Sequence, residues 1–236
     1  MSVLPPIEQK AAYVERMFAQ IAARYDLINR VMTFGLDEGW RRYAVEQVAP
    51  PAGGRALDVG TGTGDFLPVL AARGAFAVGA DFTLPMMQAG LPKISDLAGR
   101  GVFVSGDAMK LPFADESFDA ITTGFTMRNV VDIEVAFREM WRVTRPGGRM
   151  ACLEVARPRN PLTRLGHQIY FEQVVPRLAT LFGGDRRAYT YLPQSARAFP
   201  PPDRLADLMR AAGWQDVRYR LVGLGAAAVH IGIKPA

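Results

Sequence analysis

Asp58-Val59-Gly60-Thr61-Gly62-Thr63-Gly64-Asp65 follows the short apolar run Arg55-Ala56-Leu57 and leads into a helical pattern. A buried strand, a glycine-rich turn and a helix in succession open an α/β sheet. Alternating glycines allow positive φ and a close approach of backbone to ligand. The helix start behind them offers N–H groups without intrahelical partners. A dinucleotide turn reads G-x-G-x-x-G, its third glycine packing helix on strand. Here the spacing is G-x-G-x-G, and a carboxylate, Asp58, stands two positions ahead of it. A carboxylate there repels a pyrophosphate and suits a cationic group, such as the ammonium or sulfonium of a nucleoside–amino-acid cofactor.

Working outward, four more short apolar runs read as buried strands: Ala75–Ala80 ending at Asp81, Val102–Val104, Phe118–Thr122 and Met150–Val155. Helical spacing lies between them. The clearest case starts at Asp132 as N-cap, continues through Ala136, Phe137, Met140 and Trp141, and is expected to stop at Pro146-Gly147-Gly148. Alternating strand and helix predict a mostly parallel sheet covered on both faces. Two terminal runs, Val217–Val222 and Ala226–Ile233, are joined only by Gly223-Leu224-Gly225, so they must be antiparallel. Asp81 and Asp107-Ala108 follow the second and third strands. With Asp58 they bring three acids to the carboxyl edge, where open α/β sheets bind ligands, and Asp81 stands where such folds place a ribose-gripping acid. The reading is one domain, 1–236, with a helical cap at 8–48, a core at 55–155, a helical insertion at 156–201 and a return to the core at 202–236. The insertion, with Leu162, Leu165, Ile169, Val174, Leu178 and Phe182, is too long for an ordinary loop. Insertions of that kind serve as lids or binding elements, with core packing expected for most of these apolar residues.

Composition narrows the function. The 236 residues are 49% hydrophobic and 22% charged, an ordinary globular balance. One cysteine, Cys152, excludes an intrachain disulfide framework and a cysteine metal cluster. His167 and His230 are too far apart for a local metal motif, so no metal is expected. The net charge of +5 comes from scattered arginines, with only Arg41-Arg42 and Arg186-Arg187 adjacent. No basic stripe interleaved with aromatics is present, so no nucleic-acid partner is expected. The longest charge-free stretch, Leu221 to Ile233, is too short to span a bilayer. The start, Met1-Ser2-Val3-Leu4-Pro5-Pro6, does not read as a signal peptide. A cytoplasmic protein is expected.

The run Asp58–Asp65, Asp81, Asp107-Ala108, and the segments Leu111-Pro112-Phe113 and Ser117-Phe118-Asp119 resemble class I S-adenosylmethionine-dependent methyltransferases. A narrower likeness lies outside that core. Phe18-Ala19-Gln20-Ile21-Ala22-Ala23-Arg24-Tyr25-Asp26-Leu27-Ile28-Asn29, with Met32-Thr33-Phe34-Gly35 and Trp40-Arg41, resembles the N-terminal signature of the menaquinone/ubiquinone C-methyltransferase family. Phe125-Thr126-Met127-Arg128-Asn129-Val130 resembles its second signature, and Tyr191-Leu192-Pro193-Gln194-Ser195 with Phe199-Pro200 its later segments. The resemblance implies a Rossmann-like class I fold: a mostly parallel seven-stranded sheet with an antiparallel C-terminal strand. It implies S-adenosylmethionine contacts at Thr63, Asp81, Asp107 and Ala108, which join Asp58, Gly60 and Gly62 of the glycine turn. Gly124 stands where the family often has serine, so this position can offer backbone only.

The implied reaction moves a methyl group to a ring carbon of a polyprenyl hydroquinone, most simply demethylmenaquinol. A ring carbon is nucleophilic when its neighbouring phenol is deprotonated, and a cation or donor beside that oxygen stabilises the charge. Arg128, Asn129 and Tyr25 are the catalytic candidates, Arg128 as an electrostatic clamp because guanidinium stays charged. Tyr25 and Asn29 share a helix face at i and i+4. Asp37, Asp65 and His167 are eligible by type as the base that takes the ring proton; Glu154 reads as a strand-end residue near the site or an ion-pair partner. Cys152 reads as core, and His230 as partly buried. The alternatives are a benzoquinol ubiquinone precursor, another small phenol or lipid, a nicotinamide oxidoreductase, or a binding scaffold without activity. A lipid-tailed acceptor implies transient contact with the inner face of a membrane. Oligomeric state stays open, a homodimer included.

Overall fold

The computed structural model describes residues 5–158, 160–170 and 186–236. The chain opens with helices α1 (Lys10–Ile21), α2 (Tyr25–Thr33) and α3 (Leu36–Val48). Then follow β1 (Arg55–Val59), α4 (Leu67–Ala72), β2 (Phe76–Asp81), α5 (Leu84–Ser95), β3 (Gly101–Ser105), β4 (Phe118–Gly124), α6 (Ile133–Val143) and β5 (Thr144–Val155). The insertion contributes α7 (Pro161–Ile169) and α8 (Arg186–Ala198), and α9 (Pro202–Ala211), β6 (Gln215–Val222) and β7 (Ala227–Ile233) complete the core.

Among the described residues the strands form one seven-stranded sheet in the order β3-β2-β1-β4-β5-β7-β6. The first five run parallel, and β7 lies antiparallel between β5 and β6. The period of two sorts side chains between two cores. Leu57, Val59, Ile121, Met150 and Cys152 face α6 and α9. Ala56, Ala77, Ala120, Ala151 and Leu153 face α3 and α4. Three of these alanines are register partners in one row, Ala77–Ala56–Ala120, which keeps that face shallow. Successive strands diverge between β1 and β4, the topological switch point where such sheets bind ligands.

Three expectations are corrected. Asp132 does cap α6, accepting from the Val135 N–H at 3.0 Å, but the helix ends at Val143 because Thr144 is already extended. Pro146-Gly147-Gly148 instead lies inside β5, which is longer than the apolar run suggested, at a register shift where Phe118 pairs with Thr144 and Ala120 with Arg149. His230 is fully buried rather than partly, its Nε2 against the Pro202 carbonyl at 2.9 Å. Leu162, Leu165 and Ile169 are not core residues: they share the outer face of α7 and are 79%, 57% and 46% exposed. Val174, Leu178 and Phe182 lie outside the described residues.

Candidate active site

A cavity of roughly 870 Å³, open mouth included, lies over the switch point. Its floor is the carboxyl edge of the sheet, with Gly60, Gly62, Asp81, Asp107 and Ala108. Gly60 has φ +67°, and a Cβ there would stand 2.1 Å from Cγ2 of Thr126, so only glycine lets the turn after β1 meet the segment after β4. Thr126 Oγ1 donates across this gap to the Gly60 carbonyl at 3.1 Å. Asp81 Oδ2 accepts from the Gly62 N–H at 2.8 Å and Oδ1 from the Thr83 N–H at 2.7 Å. Burial raises its pKa, and those backbone donors oppose the shift. Each carboxylate oxygen retains acceptor capacity for a ligand hydroxyl. Phe82, Met86 and Met109 add an apolar slot beside it. Asp107 Oδ1 caps its own turn, accepting from the Met109 N–H at 2.9 Å.

The roof comes from the N-terminal cap. Ala11, Val14, Phe18 and Tyr25 line the cavity opposite the sheet edge. Three polar contacts, made by Lys10 and Asp26, hold this roof down. Lys10 Nζ donates to the Val130 carbonyl at 2.6 Å. Asp26 of α2 pairs with Lys93 of α5 at 2.7 Å and accepts from the Thr63 hydroxyl. Lys93 also pairs with Asp65, which lies 3.0 Å from Arg41 of α3. Burial alone would raise the Asp65 pKa, but Arg41 and Lys93 outweigh it and hold the carboxyl below its ordinary value.

The far wall is the segment leaving β4: Phe125, Thr126, Asn129 and Val130. Asn129 Nδ2 donates to the Phe125 carbonyl at 3.2 Å. Tyr25, one turn ahead of Asn29 on α2, sits on the adjoining wall. Burial raises its pKa, and the charge of Arg128 is the largest opposing influence. Arg128 stands behind the wall. Its Nη1 meets Glu154 Oε1 at 2.7 Å, and its backbone N–H meets Oε2 at 3.1 Å. Both side chains are buried, and the guanidinium lies 5.5 Å from the Phe125 ring. Arg128 Nε has no hydrogen-bond partner among the described residues.

The cavity thus brings together Tyr25, Gly60, Gly62, Asp81, Asp107, Ala108 and Asn129. Three sequence candidates stand elsewhere. Asp58 is buried behind the turn, with Oδ2 accepting from the Thr61 hydroxyl at 2.7 Å and Oδ1 from Thr122 at 2.9 Å. Burial pushes its pKa up to about 7, so it anchors the loop to β4 and offers no outward charge. The Thr63 hydroxyl faces Asp26 and Lys93. Arg128 reaches the site through its field, not through the cavity lining. Asp37, committed to Arg41 and the Thr33 hydroxyl, and Asp65 do not line the cavity. His167 belongs to α7, and its side chain lies outside what the structure describes. Gly124 does line the cavity through its backbone, and a Cβ there would come 2.7 Å from the Phe66 ring. The roof residues on α1, the Lys93 latch and the Glu154 partner of Arg128 were not singled out as such from the sequence. No local signal marks them, because each polar partner lies 26 or more positions away.

The model of the ubiE/COQ5 methyltransferase family matches residues 7–234. The chain belongs to this family. A demethylmenaquinone methyltransferase of Roseiflexus castenholzii is 67% identical, the match covering 99% of this chain and 98% of the relative. One of Deinococcus radiodurans is 43% identical over 98% and 97%. A ubiquinone/menaquinone biosynthesis C-methyltransferase of Desulfotalea psychrophila is 40% identical over 95% and 92%. The methyltransferase fold recurs in solved structures. Haemonchus contortus phosphoethanolamine N-methyltransferase 2 superimposes with a TM-score of 0.62 at 15% identity, over 84% of this chain and 53% of that one. The [4+2]-cyclase SpnF does so with 0.57 at 19% identity, over 84% and 81%. The fold therefore hosts more than one chemistry, and it is family membership that makes this chain an S-adenosylmethionine-dependent methyltransferase.

Proposed function

We propose that this methyltransferase converts a demethylmenaquinol to the menaquinol by methylating a ring carbon. The observation that carries the reading is the single cavity joining two unlike halves. One half has an acid, a glycine turn and an apolar slot. The other has Tyr25 and Asn129 with a buried guanidinium behind them. The first half fits S-adenosylmethionine: Asp81 has acceptor capacity for ribose hydroxyls, Phe82 and Met109 can cover a flat base, and the positive-φ glycines clear the backbone. When bound, the nucleoside supplies an electrophilic methyl group. Residues 55–155 would hold it, with 202–236 completing the core.

The second half would hold the ring. The ring oxygen next to the reacting carbon must carry negative charge. Asn129 offers an N–H donor, and Tyr25 either donates to that oxygen or covers the ring. Arg128 contributes a fixed positive field across a dry wall, where charge interactions are stronger than in water. Glu154, paired with the guanidinium, fixes its place, and the guanidinium is the member of the pair whose charge is felt at Tyr25. The cap at 8–48 and the insertion at 156–201 would close over the ring and exclude water, leaving the prenyl tail to exit toward lipid. Support for a membrane-facing exit is the exposed apolar set Phe34, Leu162, Leu165 and Ile169. None of the described helices is long and apolar enough to cross a membrane.

The test incubates purified protein with methyl-labelled S-adenosylmethionine and either reduced demethylmenaquinone or a benzoquinol ubiquinone precursor. Label on a naphthoquinol ring carbon is the expected result. Label only on the benzoquinol moves the protein to the ubiquinone branch, and no label on either removes the quinol reading.

A further inference from the structure

The insertion reaches the candidate site through one phenol. Tyr191 of α8 is buried, and its ring centroid stands 5.6 Å from that of Tyr13 on α1. It joins Val14, Met17, Ile21 and Ile28 in a small core between cap and insertion. Its hydroxyl approaches Oδ1 of Asn129 at 3.3 Å. The other polar end of that amide is already committed: Nδ2 donates to the Phe125 carbonyl. A carbonyl can only accept, so the amide nitrogen must face Phe125 and the amide oxygen must face Tyr191. The phenol is therefore the donor, and Asn129 retains one further N–H for a ligand.

The geometry points to Tyr191 as a positioning residue for methyl transfer: its hydroxyl locks the Asn129 amide in the orientation that presents a donor to the acceptor's ring oxygen. This rests on the reading that Asn129 meets the quinol. Without the hydroxyl, only the 3.2 Å bond to the Phe125 carbonyl orients the amide, and its unpaired oxygen can swing toward a phenolate, which it repels. The contact is longer than the ~2.5–3.0 Å of a relaxed hydroxyl–oxygen bond.

The test is Tyr191→Phe, which keeps the ring against Tyr13 and deletes the hydroxyl. Turnover of demethylmenaquinol is expected to fall about 10-fold, the effect of one net hydrogen bond at the upper end of its range. Affinity for S-adenosylhomocysteine by calorimetry should be unchanged. In an Asn129→Ala background the same substitution should change turnover by less than about 2-fold, since nothing is left to orient. An equal loss in both backgrounds, or full turnover in Tyr191→Phe, overturns the proposal. If the wild-type protein transfers no methyl to demethylmenaquinol, it is the quinol reading that fails, and the lock is then read without turnover. In ¹⁵N-labelled protein the Asn129 side-chain amide signals, identified by their loss in Asn129→Ala, should move in Tyr191→Phe. Unmoved signals overturn it.

Discussion

Asp81 carries the heaviest assignment at the scale of single residues. Both its oxygens accept backbone N–H groups of the turns that shape the floor. Asp81→Asn keeps the size but turns an N–H toward the donor of Gly62 or Thr83. Calorimetry should show S-adenosylhomocysteine affinity falling ~10- to 100-fold, the scale of a charged hydrogen bond; an unchanged Kd removes Asp81 from the cofactor site. Arg128 and Glu154 form a buried pair. Glu154→Gln strands a buried cation and should cost about 3–5 kcal/mol, lowering Tm by on the order of 10 °C. Replacing both, with Arg128→Met and Glu154→Leu, should recover most of that stability without recovering turnover. A double variant with wild-type turnover would contradict the field role of Arg128. Asp58 predicts a pH effect. Its folded pKa, about 7, lies above the ordinary carboxyl value, so the folded state holds a proton the unfolded state has lost. Its contribution is full below about pH 4 and is lost as pH rises through about 7. Denaturant titrations should therefore show Asp58→Asn gaining on wild type from pH 5 to pH 8; a pH-independent difference would refute this. The sequence reading set Asp58 against a cationic group of the cofactor, whereas it stands behind the turn with both oxygens committed to threonines. Its second partner, Thr122, is 64 positions away, and without it the carboxylate reads as facing a ligand. The Arg128–Glu154 pair is hidden in the same way by a separation of 26 positions.

Elements divide into those whose signals are local and those placed by distant contacts. The β1 turn, the Asp132 cap and the β6–β7 hairpin could be read because each is decided within a few residues: glycines at positive φ, a capping carboxylate, a linker too short for a crossover. The end of α6 was misplaced because Pro146-Gly147-Gly148 looks like a helix stop, while the register shift that admits it depends on β4. The seating of α1 and α2 was also illegible. It depends on Lys93, which bridges Asp26 and Asp65 from α5. Lys93→Met would remove the cation that bridges those two carboxylates, leaving Asp65 held by Arg41 alone and Asp26 without its ion pair. Amide hydrogen exchange over residues 10–33 should then quicken while β4 and β5 stay protected, and KM for the quinol should rise several-fold. Unchanged exchange in α1 and α2 would show that the apolar contacts of the roof suffice.

The whole molecule is a sheet whose switch point is roofed by the N-terminal cap, with Tyr191 of the insertion packed against that cap, over a floor that we propose holds a nucleoside. That sheet followed from the alternation of strand and helix, and a helical cap at 8–48 was expected, though not which of its residues line the cavity. What joins roof to floor, Asp26 to Thr63 and Lys93, Lys10 to Val130, Tyr191 to Asn129, could not be foreseen because each contact spans 30 or more positions. The central claim is that one cavity holds donor and acceptor together, with Asp81 at one end and Asn129 at the other. The most direct test is a crystal structure of the ternary complex with S-adenosylhomocysteine and a demethylmenaquinone. It should show ribose hydroxyls on the Asp81 carboxylate and the naphthoquinone ring beneath Phe18 and Tyr25, one ring oxygen hydrogen-bonded to Asn129 Nδ2. A nucleoside away from Asp81, or a ring bound outside the wall formed by Tyr25 and Asn129, would contradict it.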